Sequence, residues 1–196
     1  MRTNLVRVTL REVLVLLLVA STTFKCSNTR SVAENVYTYE FLNYYFSRSV
    51  YPCACTPKVF ISDEFEPWSI NKGDLDRLVR MDSVFNKDDV EFIERQFSEL
   101  TEDRIDTAKV KSAKIISLDE FGANREDGSI KLWDLYEKKY DLNYFKVSKP
   151  LFSKDFKKLI LISKQYTRAG YVGGVFVFVK KENSWNFVYQ WKMFVS

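Results

Sequence analysis

The chain has 196 residues, 46% hydrophobic and 29% charged, a length that suits one domain and a composition that excludes wholesale disorder. It contains no histidine, which removes the commonest general base, the commonest zinc ligand and every Ser–His or Cys–His dyad. Of 30 basic and 26 acidic residues, the first 25 positions hold Arg2, Arg7, Arg11 and Lys25 against Glu12 alone, so 26 face 25 in the remainder; that near-neutral balance offers no bulk attraction to phosphate, and no nucleic-acid partner is expected.

Residues 1–25 read as a signal peptide. Three arginines form a positive opening, and Val13–Ala20 is an unbroken apolar run of eight. The run falls short of the roughly 18 apolar residues that suggest a spanning helix. Cys26, followed by the polar Ser27-Asn28-Thr29-Arg30-Ser31, sits where a bacterial lipoprotein carries its lipidated cysteine, which would tether the chain to a membrane. Lys25 occupies a position where a small residue is usual, and cleavage near Thr22 is the competing reading. Either way the expected location is the periplasm or the membrane-anchored cell envelope, with residues 26–196 as one α+β domain.

Ser31 and Glu34 have capping-box spacing and predict a helix to about Arg48, packed through Val32, Val36, Tyr39 and Phe46. Next comes YPCACTP, with Cys53 and Cys55 between Pro52 and Pro57. Two cysteines without histidine cannot complete a four-ligand zinc site, and no CxxC redox motif is present. In an exported chain the pair is either a local disulfide, closing a small strained ring, or two free thiols. No metal or other cofactor is expected.

Asp63, Glu64 and Glu66 flank Phe65 ahead of Pro67-Trp68. Paired carboxylates beside an aromatic suit glycoside hydrolysis or a hard cation, but no calcium-loop spacing occurs, so the expectation is a solvated loop with one buried aromatic. The same reading applies to Asp119, Glu120, Glu126 and Asp127. Lys87, Lys109, Lys111 and Lys114 are interspersed with acids and do not form a basic stripe.

A short helix is expected over Asp74–Met81 and a second after Asn86, whose side chain caps it while two acids occupy the first turn. Val90, Ile93, Phe97 and Leu100 share one face of that helix. Lys109–Leu118 reads as a strand and Ser129–Tyr140 as a helix. The last fifty residues read as four strands, NYFKVSKPLF, FKKLILISKQYTR, YVGGVFVFVKK and SWNFVYQWKMFVS, the last two joined at Glu182-Asn183. Gly173-Gly174 signals a bulge or a close backbone approach. In the final strand Trp185, Phe187, Tyr189, Trp191 and Met193 alternate with mainly polar residues, predicting one buried aromatic face.

The stretch SKPLFSKDFKKLILISKQYTRAGYVGGVFVFVKKENSWNFVYQW, about a quarter of the chain, resembles the C-terminal part of small exported proteins and lipoproteins of Bacteroidota. The resemblance implies location and sheet architecture and carries no established activity. The expected fold is α+β, N-terminal helices on a C-terminal antiparallel sheet of four to five strands, compatible with an NTF2-like or cystatin-like arrangement. The expected function is a non-enzymatic binding or structural role in the cell envelope, with an unidentified protein partner there. The alternative is a small exported ligand-binding protein or enzyme with a pocket on the concave sheet face.

Overall fold

The computed structural model describes residues 32–47, 59–81, 83–100, 104–117, 144–167 and 170–195. The signal segment, Cys26, Cys53, Cys55, the acids at 119, 120, 126 and 127, and the helix expected over 129–140 lie outside the described residues. The chain divides between Tyr37 and Thr38 into two compact units. The described part of the first is the opening of helix α1 (32–47), where Val32 and Val36 are exposed at 63% and 60% instead of packed as expected. All that follows concerns the second unit.

That unit is an α+β fold. In chain order it contains the rest of α1, β1 (Phe60–Ser62), α2 (Lys72–Met81), α3 (Lys87–Ser98), β2 (Lys114–Ile116), β3 (Tyr144–Val147), β4 (Leu151–Phe152), β5 (Lys158–Thr167), β6 (Gly170–Lys181) and β7 (Ser184–Val195). The seven strands form one sheet of order β2-β1-β3-β5-β6-β7, with β4 also on β5. β5 pairs antiparallel with β3, β4 and β6, and β6 pairs antiparallel with β7, while β1 runs parallel to both β2 and β3. The sheet therefore exceeds the expected four to five strands through two three-residue strands at the parallel edge. Only Lys114–Ile116 of the stretch expected as a strand from Lys109 pairs there. Asn43 holds the preceding turn: its amide donates to Lys109 O (2.8 Å) and accepts from Lys111 N (2.6 Å).

The helices form where their caps permit. Asn71 accepts from Asp74 N at 2.8 Å, so α2 starts two residues before the expected Asp74. Asn86 and Asp89 close a full capping box around the start of α3. Asp89 is buried and also receives Lys158 Nζ at 2.6 Å and Lys154 N at 3.1 Å, which ties the helix start to β5.

Strand alternation assigns each helix layer a chemistry. Val175, Val177, Ile160 and Ile162 face the aliphatic cluster of Leu75, Leu78, Val79, Val90 and Ile93 from α2 and α3. The other face of β6 is aromatic. Phe178 meets Phe41 (5.1 Å between centroids) and Tyr45 (5.8 Å) of α1, and Phe41 meets Trp185 at 5.3 Å. The VFVF run of β6 is covered on both faces, which explains its unbroken hydrophobicity.

β7 departs from the expected single aromatic face. Val175 lies opposite Lys192 but Phe176 opposite Gln190, and Val177 opposite Tyr189 but Phe178 opposite Phe187. Trp191 and Val188 are thus extra residues, and each bulge reverses the alternation. Trp185 is buried on the α1 side. Tyr189, Trp191 and Phe194 pack on the α2–α3 side. Phe187 and Met193 are left 50% and 64% exposed.

Between β3 and β4 the ladder to β5 is broken at Lys149-Pro150, after Ser148 N has donated to Ile162 O at 2.9 Å. Pro150 has no N–H to give, and the Ser148 hydroxyl takes the place of a backbone acceptor by receiving Ile162 N at 2.9 Å. The outer edge of β4 is closed by a side chain: Gln96 of α3 donates to Phe152 O (2.7 Å) and accepts from Phe152 N (3.1 Å).

Candidate functional site

The segment leaving β1, Asp63–Trp68, is pinned from both sides by backbone bonds. Asp63 N donates to Ile116 O (3.3 Å), Ile105 N to Asp63 O (2.8 Å), and Glu66 N to Val147 O (2.8 Å). The carbonyls of Val147 and Lys149 thus receive this segment, since the Trp68 indole also donates to Lys149 O at 3.1 Å. The expected solvated loop is instead partly core. Asp63 is buried, Phe65 is only half-buried, and the Glu66 side chain is 11% exposed.

The three carboxylates meet two cations, Asp63 and Glu64 sharing Arg104. Arg104 lies 3.9 Å from Asp63 and 3.7 Å from Glu64, but its side chain is 66% exposed, so these contacts are weak. Glu66 pairs with Lys164 of β5 at 2.5 Å, both side chains 11% exposed. Lys164 is further enclosed by the rings of Tyr171 (5.1 Å) and Phe194 (5.7 Å). Lys164 lies opposite Gly173, and a Cβ there would come within 2.8 Å of Lys164 Cα and 2.9 Å of its Cγ. The missing side chain is what lets the strands approach and the lysine cross β6 to the ring on β7.

Three phenols extend the cluster along the strands. Tyr166 lies 5.8 Å from Tyr144 and 5.4 Å from Tyr171. Burial pushes the Tyr144 hydroxyl up to about 12; the neighbouring Ser62 hydroxyl opposes the shift, and the charges of Asp63, Glu66 and Glu64 add to it. Burial first, then Glu66, also raises Tyr166. Both phenols are therefore neutral at physiological pH and can donate a hydrogen bond but not act as bases.

Beside Glu66 a cavity of about 200 Å³ is walled by Phe65, Pro67, Trp68, Phe97, Leu100 and Lys149, with Trp68 and Phe97 edge to face at 6.0 Å. A wider, open groove of about 650 Å³ runs between α1 and residues 108–112, where Tyr39, Glu40, Lys109 and Lys111 are among the lining residues. Lys109 is paired with Asp106 at 2.9 Å and sits 5.1 Å from the Tyr39 ring, so it is not part of a free basic surface. Lys114 lies over Phe60.

The sequence singled out Asp63, Glu64 and Glu66 but not Lys164, Tyr144, Tyr166 or Tyr171. A signal for Lys164 was present, a lone charge in the strand run LILISK registered against a Gly-Gly. Among the described residues, no group of three or more Asp, Glu or Cys is placed to hold a metal ion, and no helix is long and apolar enough to cross a membrane. No family model, curated protein or solved structure matches the chain.

Proposed function

We propose that the chain is an exported cell-envelope protein with a non-enzymatic binding or structural role, akin to the Bacteroidota proteins its tail resembles. The observation that carries the non-enzymatic reading is the mutual neutralisation of the buried ionisable groups: Glu66 with Lys164 and Asp89 with Lys158. A catalytic acid–base pair requires groups that remain open to a substrate and titrate near the working pH. Export rests on the arginine-led apolar segment before Cys26, with anchoring through that cysteine or release into the periplasm. Mass spectrometry of the mature N-terminus from native membranes tests the location. The expected result is loss of residues 1 to about 25, with a lipid mass on Cys26 or a free terminus near Thr22; intact Met1 overturns export.

The small-ligand alternative draws support from the aromatic cavity at Trp68. Its volume of about 200 Å³ lies below the ~300–1,000 Å³ usual for ligand sites. Tyr189 and Trp191 of β7 pack against the α2–α3 cluster. Binding through an exposed surface is therefore the better-supported mode.

A further inference from the structure

β7 is the last strand of the sheet, twelve residues long, and one of its two backbone edges is unpaired among the described residues. Along it Phe187, Val188, Met193 and Val195 are exposed at 50%, 42%, 64% and 71%, and Val172 of β6 adds 48% beside Val195. Such an edge is a template for another strand unless charges or bulges blunt it. Its only formal charge is Lys192, which lies 3.6 Å from Asp74 of α2. Little charge is left to select a charged partner or to repel a like one.

The two bulges decide which strand fits. Residues opposite one another on neighbouring strands share a face, so the register places Trp185, Phe187, Gln190, Met193 and Val195 on the α1 side. Asn186, Tyr189, Lys192 and Phe194 fall on the α2–α3 side, as does Trp191 by its packing. Apart from the bulge residue Val188, which the register assigns to neither face, this pattern reads the same in both directions from Gln190. Positions 187 and 193, and 185 and 195, share one face; positions 189 and 191, and 186 and 194, share the other. A regular strand laid on this edge would fall out of phase at each bulge. An inverted copy of β7 centred on Gln190 sets like-facing residues opposite one another at these positions, with the extra residue Val188 falling opposite Lys192.

We propose that the partner of this edge is a second copy of the chain. The two β7 strands pair antiparallel about a two-fold axis through Gln190 and continue the sheet from one subunit into the other. The interface is isologous, as a two-fold requires. It sets the exposed Phe187 of each copy opposite the exposed Met193 of the other. The inference goes beyond the envelope-binding reading and does not depend on export.

The test is sedimentation velocity of the purified full chain in mild detergent over about 1–100 μM. Wild type is expected to pass from monomer to dimer with concentration. Phe187→Lys and Met193→Glu, each alone, place a charge in the apolar contact and are expected to weaken association at least about tenfold. Within one chain these positions lie about 20 Å apart along the strand and do not meet. The double variant sets opposite charges face to face twice across the axis, so association is expected to recover at low ionic strength and weaken again with salt. Far-UV circular dichroism checks that each variant is folded. A wild-type chain monomeric at about 100 μM overturns the proposal and leaves the edge to a strand from another protein. Single variants that dimerise like wild type, or a folded double variant no better than the singles, overturn it equally.

Discussion

Gln96 offers the sharpest test of how the sheet is closed. Its side-chain amide stands in for a neighbouring strand, donating to Phe152 O at 2.7 Å and accepting from Phe152 N at 3.1 Å. Gln96 is 6% exposed and Phe152 fully buried, so water cannot replace either bond. Gln96→Leu keeps the volume and removes both partners. Each orphaned buried backbone group costs about 1–3 kcal/mol, which gives about 2–6 kcal/mol, less a small gain from the apolar side chain. Against a total stability of about 5–15 kcal/mol this is a large loss. With a urea dependence of about 2 kcal/mol/M, the unfolding midpoint is expected to fall by at least about 1 M. Gln96→Glu sharpens the test. As a carboxylate it accepts from Phe152 N but cannot donate to Phe152 O; as the protonated acid it can do both. The folded state thus raises the pKa of the introduced group, and its relative stability is recovered as pH falls below that raised value. Urea midpoints of both variants, referred to wild type at each pH, measure this. A Gln96→Leu midpoint within about 0.2 M of wild type would refute the reasoning, because it would mean that these groups are not buried or find other partners.

Tyr144, pushed up to about 12 from about 10 in an unfolded chain, contributes stability that is fully present below pH ~10 and lost as pH rises to ~12. Wild type is therefore expected to lose about 2–3 kcal/mol more than Tyr144→Phe across that window, measured by urea unfolding at each pH. Lys164→Met leaves Glu66 unpaired and is expected to cost about 3–5 kcal/mol, whereas pairing it with Glu66→Leu restores most of the loss. A double variant as unstable as the single would show that the ion pair itself, not an orphaned charge, holds the cluster. Trp185→Ala is expected to cost about 3–5 kcal/mol and Phe187→Ala less than about 1 in monomeric protein, which thermal or urea unfolding distinguishes. Gly173→Ala drives a Cβ against Ser163 O and to 2.8 Å from Lys164 Cα, so a loss of about 1–3 kcal/mol is expected in the same assay.

The cap at Asn86 and the extended stretches that became β5, β6 and β7 were legible in the sequence because each is written locally. A cap is a side chain beside the amide it serves, and a strand is an alternation of neighbours. The double-sided burial of β6 was legible too, as an unbroken VFVF run. What alternation does not encode is a change of phase. Both bulges in β7 fall among residues that keep alternating in sequence, Val188 after Phe187 and Trp191 after Gln190. The reversal exists only in the register against β6. An aromatic series that reads as one face is therefore divided among the α1 layer, the α2–α3 layer and solvent.

The cluster around Lys164 was hidden for a related reason. Glu66 and Lys164 are 98 residues apart, and the parallel β1–β3 pairing that brings them together rests on two short strands with little local signature. The acids at 63–66 looked solvated because no cation stands near them in sequence. The fold supplies one from β5, whose neighbour on the other side, β6, carries glycine opposite that lysine. A buried lysine and a glycine in register on neighbouring strands form a single requirement, since any side chain at Gly173 occupies the space through which Lys164 reaches Phe194. The prediction for Gly173→Ala thus extends beyond stability. If the lysine crosses β6 as described, this substitution and Lys164→Met disturb the same contacts, and their combined cost falls short of the sum of the two. Strict additivity in a double-mutant cycle would place Lys164 away from Gly173 and would dissolve the cluster as a unit.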